Sequence, residues 1–144
     1  MNQSEILAFW RHHKEVWNAS NATKMTSSPN GMDFIEVFAT GRKSGEERSV
    51  LLSSFRTGSG WLIAASNIGR DTDPNWWLNL KAAGRRGKLR IAGGQTLDVE
   101  ADELEGEERA EAWARFTAAE ASYKEYETAT SRLIPVIELR PIDV

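Results

Sequence analysis

The chain of 144 residues contains no cysteine and only two histidines, His12 and His13, which are neighbours. The lack of cysteine excludes a disulfide framework, a thiolate metal site and a cysteine nucleophile. Two adjacent histidines disfavour a three-histidine zinc site and any catalytic dyad or triad that needs a distant histidine. Neighbours in a helix point about 100° apart and cannot both reach one metal ion, so we expect both histidines on the surface and no metal site.

Long apolar runs are also absent. No stretch approaches the roughly 18 apolar residues of a membrane span. The polar start and the charged residues after Trp10 interrupt any export signal, so we expect a cytoplasmic protein. The net charge is 18 − 21 = −3, which argues against a generally basic nucleic-acid binder. The length suits one domain.

Segment 4–17 is predicted to be an amphipathic helix. Its apolar side carries Ile6, Trp10, His13 and Trp17 at helical spacing. A polar stretch rich in serine, threonine and asparagine follows. We expect a single domain in which residues 1–32 form this helix and a tether, and residues 33–144 form a β-barrel of short strands. Packing of the helix on that barrel is favoured over contact with a membrane surface, for which its tryptophans and cations would also be suited.

From Asp33 onward, short runs of β-branched and aromatic residues are separated by turn residues, which predicts strands. These strands span residues 33–40, 46–55, 61–66, 88–92, 95–103 and 133–139. One helix is predicted to begin at Asp73 as N-cap with Pro74 in the first position. A second helix covers 106–119, and a short third helix follows it.

These elements predict an α+β fold. About six short, mostly hairpin-linked strands with three or four peripheral helices are typical of a small antiparallel barrel. The first three strands have no helices between them, which disfavours a doubly wound fold.

Two segments could carry chemistry. The turn from Thr40 to Gly45 combines two glycines, two cations and two hydroxyls, and such a turn can present backbone N–H groups and Lys43 to an anion. At the end of a strand, small residues around Ser66 and Asn67 would let a flat ligand lie close, and the next helix turns its positive end towards them. An ordinary basic turn and a simple strand-to-helix connection are the alternatives.

A third segment is basic. Five cations occur in ten residues without an acid: Lys81, Arg85, Arg86, Lys88 and Arg90. A solvated helix end and turn explain them better than a nucleic-acid patch does, because cations are favoured at helix C-termini. We therefore expect no nucleic-acid partner.

Several motifs follow one another from about residue 36 to the end. They are Thr40-Gly41-Arg42-Lys43-Ser44-Gly45 with Arg48, Ala65-Ser66-Asn67-x-Gly69, Pro74 to Ala82, Gly106-Glu107-Glu108-Arg109, Trp113, Tyr123-x-x-Tyr126 and Ile134-Pro135-Val136. In order and spacing this set resembles the deazaflavin-dependent nitroreductase family, also called F420H2-dependent quinone reductases. The resemblance implies a split β-barrel of the flavin-reductase-like kind that binds the deazaflavin coenzyme F420 in a groove. Asn67 stands where the nitroreductase relatives often carry lysine.

The resemblance also implies roles for single residues. The implied cofactor-binding set is Arg42, Lys43, Ser44, Gly45, Arg48, Ala65, Ser66, Asn67, Gly69, Trp76 and Asn79. Within it, the turn would hold the phosphate and tail of the coenzyme, and the strand-end loop would line the ring. Trp76 and Trp77 fall where the family places its cofactor wall. Tyr123 and Tyr126 would border the substrate pocket, and Ser66 could hydrogen-bond an acceptor oxygen as negative charge develops there, so these three are the catalytic candidates.

The implied activity is transfer of a hydride from reduced F420 to a quinone, nitroaromatic or other enone-like acceptor. The coenzyme would carry the hard step, which agrees with a chain that lacks cysteine and a useful histidine pair. An FMN-binding split barrel, either a reductase or a non-catalytic carrier, is the main alternative, and a small nucleic-acid-binding barrel is the third. A homodimer and peripheral membrane contact through the first helix are further expectations.

Overall fold

The computed structural model describes residues 2–142. In this range the helices are α1 (Gln3–Ala19), α2 (Asn75–Ala82), α3 (Gly106–Ala119) and α4 (Ser122–Ala129). The strands are β1 (Asp33–Thr40), β2 (Glu47–Arg56), β3 (Trp61–Ala64), β4 (Arg86–Arg90), β5 (Thr96–Glu103) and β6 (Val136–Pro141). A single 3-10 turn, Asn67–Gly69, joins β3 to α2.

The strands close into one antiparallel barrel in the order β1-β2-β3-β6-β5-β4, and β4 pairs back to β1. β1 and β2 pair along the whole of β1, whereas the closing β1–β4 contact joins only Glu36–Phe38 to Lys88–Arg90. The predicted α+β antiparallel barrel with peripheral helices is confirmed. No helix within the described range is both long and apolar enough to cross a membrane.

The barrel core is built from alternate residues of its strands. On β1, Ile35 and Val37 lie in the main core, while Phe34 belongs to a separate cluster under α1. This alternation is the period of two expected for a strand with different surroundings on its two faces. Trp77 and Leu80 of α2 are fully buried in the same core, so α2 packs firmly on the barrel beside the first hairpin.

α1 packs on the outer face of the barrel. Trp17 is fully buried, and its cluster includes Phe34 and Leu51 of the first two strands. The Trp17 indole Nε1 donates to Glu36 Oε1 at 3.0 Å. The packing of the first helix on the barrel, which the sequence favoured, is therefore what the structure shows.

Glu36 is a nearly buried carboxylate at the meeting point of four elements. Besides the Trp17 bond, its Oε2 accepts from Ser49 Oγ at 2.8 Å, and Arg90 Nη1 of β4 lies 3.6 Å from its Oε1. Lys14 Nζ donates to the Ser49 carbonyl at 3.0 Å. Because a buried charge is tolerated only when it is paired and hydrogen-bonded, these contacts explain how β1 carries an acid there.

The surface position predicted for His13 is wrong. The ring is fully buried, lies parallel to Trp10 at a centroid distance of 5.7 Å and meets Phe34 edge-on at 4.0 Å. His13 Nε2 lies 2.7 Å from the Met25 carbonyl, so this nitrogen carries the hydrogen. His13 shares the helical side of Trp10 and Trp17, and this periodicity outweighs the polarity of the residue. His12 is exposed, as predicted.

His13 makes the docking of α1 sensitive to pH. Burial is the main cause that lowers its pKa, and among residues 2–142 its Nδ1 has no hydrogen-bond partner. Because the unfolded chain then binds the proton more tightly, stability is complete above the unfolded pKa of about 6.5 and falls as the pH drops below it. We expect the urea midpoint of His13→Gln to change less with pH than that of the wild type between pH about 7.5 and 5.5. His12→Gln is the matched control, and its urea midpoint should change with pH as that of the wild type does. The same pH dependence in both variants would contradict the assignment of the effect to His13.

The start of α2 and the ends of five strands differ from prediction. Pro74 occupies the N-cap position and no side chain caps the helix, so the N-cap role predicted for Asp73 is wrong. The Asp73 carboxylate instead binds Arg132 Nη1 at 3.0 Å and lies 3.7 Å from Lys81 Nζ. β3 ends at Ala64, and β6 runs from Val136 to Pro141 because its pairing with β5 continues that far.

Candidate functional site

A groove of about 570 Å³ opens between the β1–β2 turn, the adjoining part of β2 and the N-terminus of α2. Its lining residues are Ala39, Gly41, Arg42, Lys43, Ser44, Arg48, Ser49, Val50, Asn67, Pro74, Asn75, Trp76 and Asn79. The β1–β2 turn and the start of β2 supply the cations, and α2 and the strand-end loop (residues 65–73) supply amides and an aromatic ring. Three segments distant in sequence therefore meet at one concave surface.

The β1–β2 turn is held by its own backbone. Gly41 N donates to the Glu46 carbonyl at 2.7 Å, and Gly45 N donates to the Gly41 carbonyl at 2.8 Å. A Cβ on Gly41 would lie 2.6 Å from Ser44 Oγ and 3.2 Å from the Glu46 carbonyl oxygen. Glycine is thus needed at position 41 for the close packing of the turn, which leaves the Lys43 side chain exposed at the groove.

Arg42 ties the turn to α2. Its backbone N–H and its Nη1 both donate to Asn79 Oδ1, at 3.1 and 2.8 Å, and its Nη2 donates to Asn75 Oδ1 at 3.3 Å. Both partners are neutral amides, so these bonds fix the guanidinium without cancelling its charge. Asn79 is nearly buried, which makes it a firm anchor for the turn.

The electrostatics of the groove favour an anion. Arg42, Lys43 and Arg48 are its charged lining residues, and no acid is among the described residues that line it. Arg48 lies 3.4 Å from Glu46, but both side chains are well exposed, and such pairs contribute little. The uncapped N-terminus of α2 adds the positive end of a helix dipole.

The strand-end loop forms a further wall of the groove in an unusual backbone conformation. Asn67, Ile68 and Gly69 all have positive φ, of 49°, 58° and 78°. For a β-branched residue such as Ile68 this is a true outlier. Asn67 lines the groove, and its Nδ2 donates to the Thr72 carbonyl at 2.9 Å, which leaves Oδ1 as an acceptor.

The family model described as "F420H(2)-dependent quinone reductase" matches residues 9–141. The chain belongs to this family. It is 29% identical over 133 residues to an F420H(2)-dependent quinone reductase of Mycobacterium tuberculosis, covering 90% of this chain and 87% of that protein. A Mycobacterium bovis protein described as a putative F420H(2)-dependent quinone reductase matches with the same identity over 133 residues and the same coverage of both chains.

Several solved structures have a similar fold, and one of them is an F420-dependent reductase. An F420-H2 dependent reductase, FDR-A, is 35% identical, covers 74% of this chain and 93% of its own, and has a TM-score of 0.65. A chain described as a domain-swapped dimer is 29% identical, covers 92% of this chain and 98% of its own, and has a TM-score of 0.68. HutZ of Vibrio cholerae, at 12% identity and a TM-score of 0.54, shares the fold alone.

The family's implied cofactor residues are only partly gathered in the groove. Seven of the eleven line it: Arg42, Lys43, Ser44, Arg48, Asn67, Trp76 and Asn79. Gly45 shapes the turn, Ala65 is buried in the barrel core, and Gly69 is buried against α4. Ser66 is half-buried at the start of the 3-10 turn, next to Asn67 but outside the groove lining.

The two tyrosines lie on α4, behind the strand-end loop. The Tyr123 ring packs edge-on against Trp113 and Phe116 at 6.1 and 5.1 Å, and Tyr126 meets Tyr123 at 6.0 Å. Neither lines the groove. Burial is the main cause that raises the pKa of both phenols, so both remain protonated at neutral pH.

The paired tryptophans of α2 have different surroundings. Trp76 is partly exposed and lines the groove, whereas Trp77 is fully buried in the barrel core. The prediction that both rings form a cofactor wall is therefore wrong for Trp77. Consecutive helix residues point about 100° apart, so only one of the two can face the groove.

Several groove residues were missing from the predicted set. Ser49 and Val50 enter through β2, where they pair with Phe38 and Val37 of β1, and Ala39 enters from β1 itself. The register of the hairpin could have placed them beside the turn. Asn75 lies within the quoted α2 motif but was not predicted as a contact.

The basic segment 81–90 is largely paired with carboxylates. The pairs are Lys81–Asp73 at 3.7 Å, Arg86–Glu100 at 3.4 Å, Lys88–Glu47 at 3.6 Å and Arg90–Glu36 at 3.6 Å. Such pairing reduces the free positive charge that a phosphate backbone would need.

Proposed function

We propose that the groove binds F420 with its anionic tail at the β1–β2 turn, and that the chain transfers a hydride from the reduced coenzyme to a quinone. The observation that carries this is the charge of the lining, which holds three cations and no acid among its described residues. The same groove lining includes the apolar side chains of Trp76 and Val50. A coenzyme with a flat ring and a polyanionic tail fits both parts.

The charge and chemistry of the residues present suit such a group. Lys43, Arg48 and the hydroxyl of Ser44 would hold the phosphate and tail, and Arg42 is already fixed beside them by Asn79. Charge-assisted bonds of this kind are roughly twice as strong as neutral ones. Trp76 and the strand-end loop at Asn67 would border the ring.

When bound, reduced F420 supplies a hydride, so the chain need not supply a redox group of its own. The protein orients the two reactants and shields them from water. Ser66, next to the groove residue Asn67, would hydrogen-bond an acceptor oxygen that reaches beyond the groove lining, and a tyrosine of α4 behind the loop, or a water, would supply the proton. These roles account for catalysis without a cysteine or a histidine pair.

The proposed acceptor class is a quinone. The relatives from M. tuberculosis and M. bovis are named after this acceptor. Nitroaromatics and other enones share the electron-poor carbon or nitrogen that accepts a hydride, and they are secondary acceptors in this proposal. FMN is the competing coenzyme, but its single phosphate would use fewer of the three cations.

α1 is the proposed contact with partners. Leu7 and Phe9 leave 44% and 40% of their surface exposed near its start. A second copy of the chain or a membrane surface would cover these side chains. The second copy is favoured because a similar solved structure is described as a domain-swapped dimer. Light scattering after size exclusion tests the dimer, and flotation with anionic vesicles tests the membrane.

One titration tests the proposed function. Adding F420 or FMN while following tryptophan fluorescence should show quenching of Trp76 by F420 at micromolar concentration. The reduced complex, mixed with a menaquinone analogue, should then be oxidised. Absence of F420 binding would overturn the proposal, and tighter binding of FMN would transfer it to the flavin.

Removal of the Tyr126 hydroxyl should slow turnover. We expect Tyr126→Phe to lower kcat while leaving the dissociation constant of F420 almost unchanged, because this half-buried phenol is placed behind the loop rather than in the groove. The loss should be about 100-fold or more, because general acid catalysis contributes roughly 10²–10⁴-fold to a rate. Thr128→Ala, an exposed change on the same helix, is the control for disturbance of α4. A collapse of coenzyme affinity would show that Tyr126 is structural.

A further inference from the structure

Arg132, which lies between α4 and β6, binds the strand-end loop through most of its guanidinium. Its donors reach three backbone carbonyls and one carboxylate: Nε to Arg70 O at 2.8 Å, Nη1 to Asp73 Oδ1 at 3.0 Å, and Nη2 to Ala65 O and Ser66 O at 3.1 and 2.9 Å. Its side chain is only 15% exposed. A planar fork with several donors in fixed directions suits such a cluster of acceptors, and an ammonium does not.

The loop that Arg132 holds would not be expected to keep its shape alone. Asn67 and Ile68 both have left-handed backbone conformations, which are strained for residues with a side chain and persist only when the surroundings impose them. Two internal bonds, Gly69 N to Ser66 O and Arg70 N to Asn67 O, close the turn. Arg132 binds the carbonyls on both sides of this strained pair.

The neighbouring segment supports the same loop. A Cβ on Gly69 would lie 3.1 Å from both Tyr126 Cα and Ala129 Cβ, so the turn packs directly on α4. Thr130 Oγ1 donates to Asp71 Oδ1 at 2.9 Å. The loop is therefore clamped from one side by the segment that ends at Arg132.

The held loop leads directly into the groove. Asn67 lies in its strained part, and Asp73, the acidic partner of Arg132, is followed at once by Pro74, Asn75 and Trp76. Both ends of the loop that face the groove are thus connected to one guanidinium, which itself does not line the groove.

On the basis of the proposed function, we infer that Arg132 is a positioning residue for the coenzyme. It acts through the Ala65–Asp73 loop by holding Asn67 and the start of α2 in the shape that borders the deazaflavin ring. It touches neither coenzyme nor acceptor.

Arg132→Lys tests the inference because it keeps the charge and removes the fork. In the free protein we expect the amides of Gly69 and Arg70 to exchange hydrogen about tenfold faster or more, and the dissociation constant of F420 to rise by a similar factor. Arg109→Lys is the matched control. Arg109 is a second partly buried guanidinium, whose Nε and Nη2 both donate to the Ile134 carbonyl, and within the described range it makes no hydrogen bond to the loop. Its lysine variant should lower thermal stability but leave loop exchange and coenzyme affinity within about twofold of wild type.

Chemical rescue separates positioning from general stability. In Arg132→Gly, added methylguanidinium should restore coenzyme affinity and slow loop exchange, whereas methylammonium should not. If this variant does not fold, the comparison of the two lysine variants decides. Unchanged loop exchange in Arg132→Lys, or equal effects in both lysine variants, would overturn the inference. Failure of the wild-type protein to bind F420 would overturn the proposed function and with it the coenzyme part of the inference, whereas the exchange measurement, which needs no coenzyme, would still show whether Arg132 holds the loop.

Discussion

Lys43→Ala is expected to weaken F420 binding by about 1.5–3 kcal/mol, or roughly tenfold to a hundredfold in the dissociation constant. Within the described range Lys43 has neither a carboxylate nor a hydrogen-bond partner, whereas Arg48 lies near Glu46 and Arg42 is bound to amides. Its charge is therefore available to an anionic tail. The loss should be measured by fluorescence titration, and it should shrink as salt screens the exposed charge.

Lys24→Ala is the control for Lys43→Ala. It removes the same charge from an exposed position between α1 and β1, outside the groove. It should leave the dissociation constant within about twofold of wild type, as expected for an exposed change away from the site. An unchanged affinity in Lys43→Ala would mean that the β1–β2 turn does not hold the anion.

Trp17→Ala should destabilise the fold by about 3–5 kcal/mol, the range for removing a fully buried tryptophan. The change opens a cavity between α1 and the barrel and also removes the donor to Glu36 Oε1. Urea unfolding followed by circular dichroism measures the loss. We expect a lower midpoint with a single transition, because α1 and the barrel share one packed cluster.

Two variants divide the effect of Trp17. Trp17→Phe keeps most of the packing and leaves the Glu36 carboxylate short of a donor, which should cost about 1–3 kcal/mol. Trp10→Ala removes a partly exposed ring from the same helix, so its cost should be smaller than that of Trp17→Ala. If Trp17→Ala unfolded at the wild-type urea concentration, α1 would not be docked as described.

Local patterns were enough to predict most elements of this fold. The bounds of β1 and α3 agree with the predicted ranges, since both are marked by clear periodicity and by glycine or acidic residues at their ends. The N-cap of α2 was not predictable in the same way. Asp73 has the right residue type for a cap, but the distant Arg132 competes for its carboxylate.

The missed features all depend on partners far away in sequence. His13 is polar in composition, yet it is buried because the Met25 carbonyl and the Phe34 ring meet it. Glu36 interrupts an apolar strand because Trp17 and Arg90 satisfy it. The helical periodicity places His13 on the apolar side of α1, but it does not show which groups meet the ring, and no sequence pattern shows which residues satisfy Glu36.

The groove shows the same division. The residues of the β1–β2 turn were predicted because glycine, cation and hydroxyl residues stand together in one short motif. Ser49 and Val50 lack such a signal, and they line the groove only because β2 pairs with β1 in one register. Arg132 was missed entirely, since its acceptors are backbone carbonyls, which any sequence supplies.

The short β1–β4 contact that closes the barrel has a consequence for the order of folding. Arg90 follows Trp17 by 73 residues, and the Glu36 carboxylate between them binds both. Such long-range contacts form late, because the intervening chain must first be ordered. During synthesis α1 therefore emerges long before the strand whose closure it stabilises. We expect the pairing of β4 with β1 to form late in folding, held by the ion pair between Arg90 and Glu36.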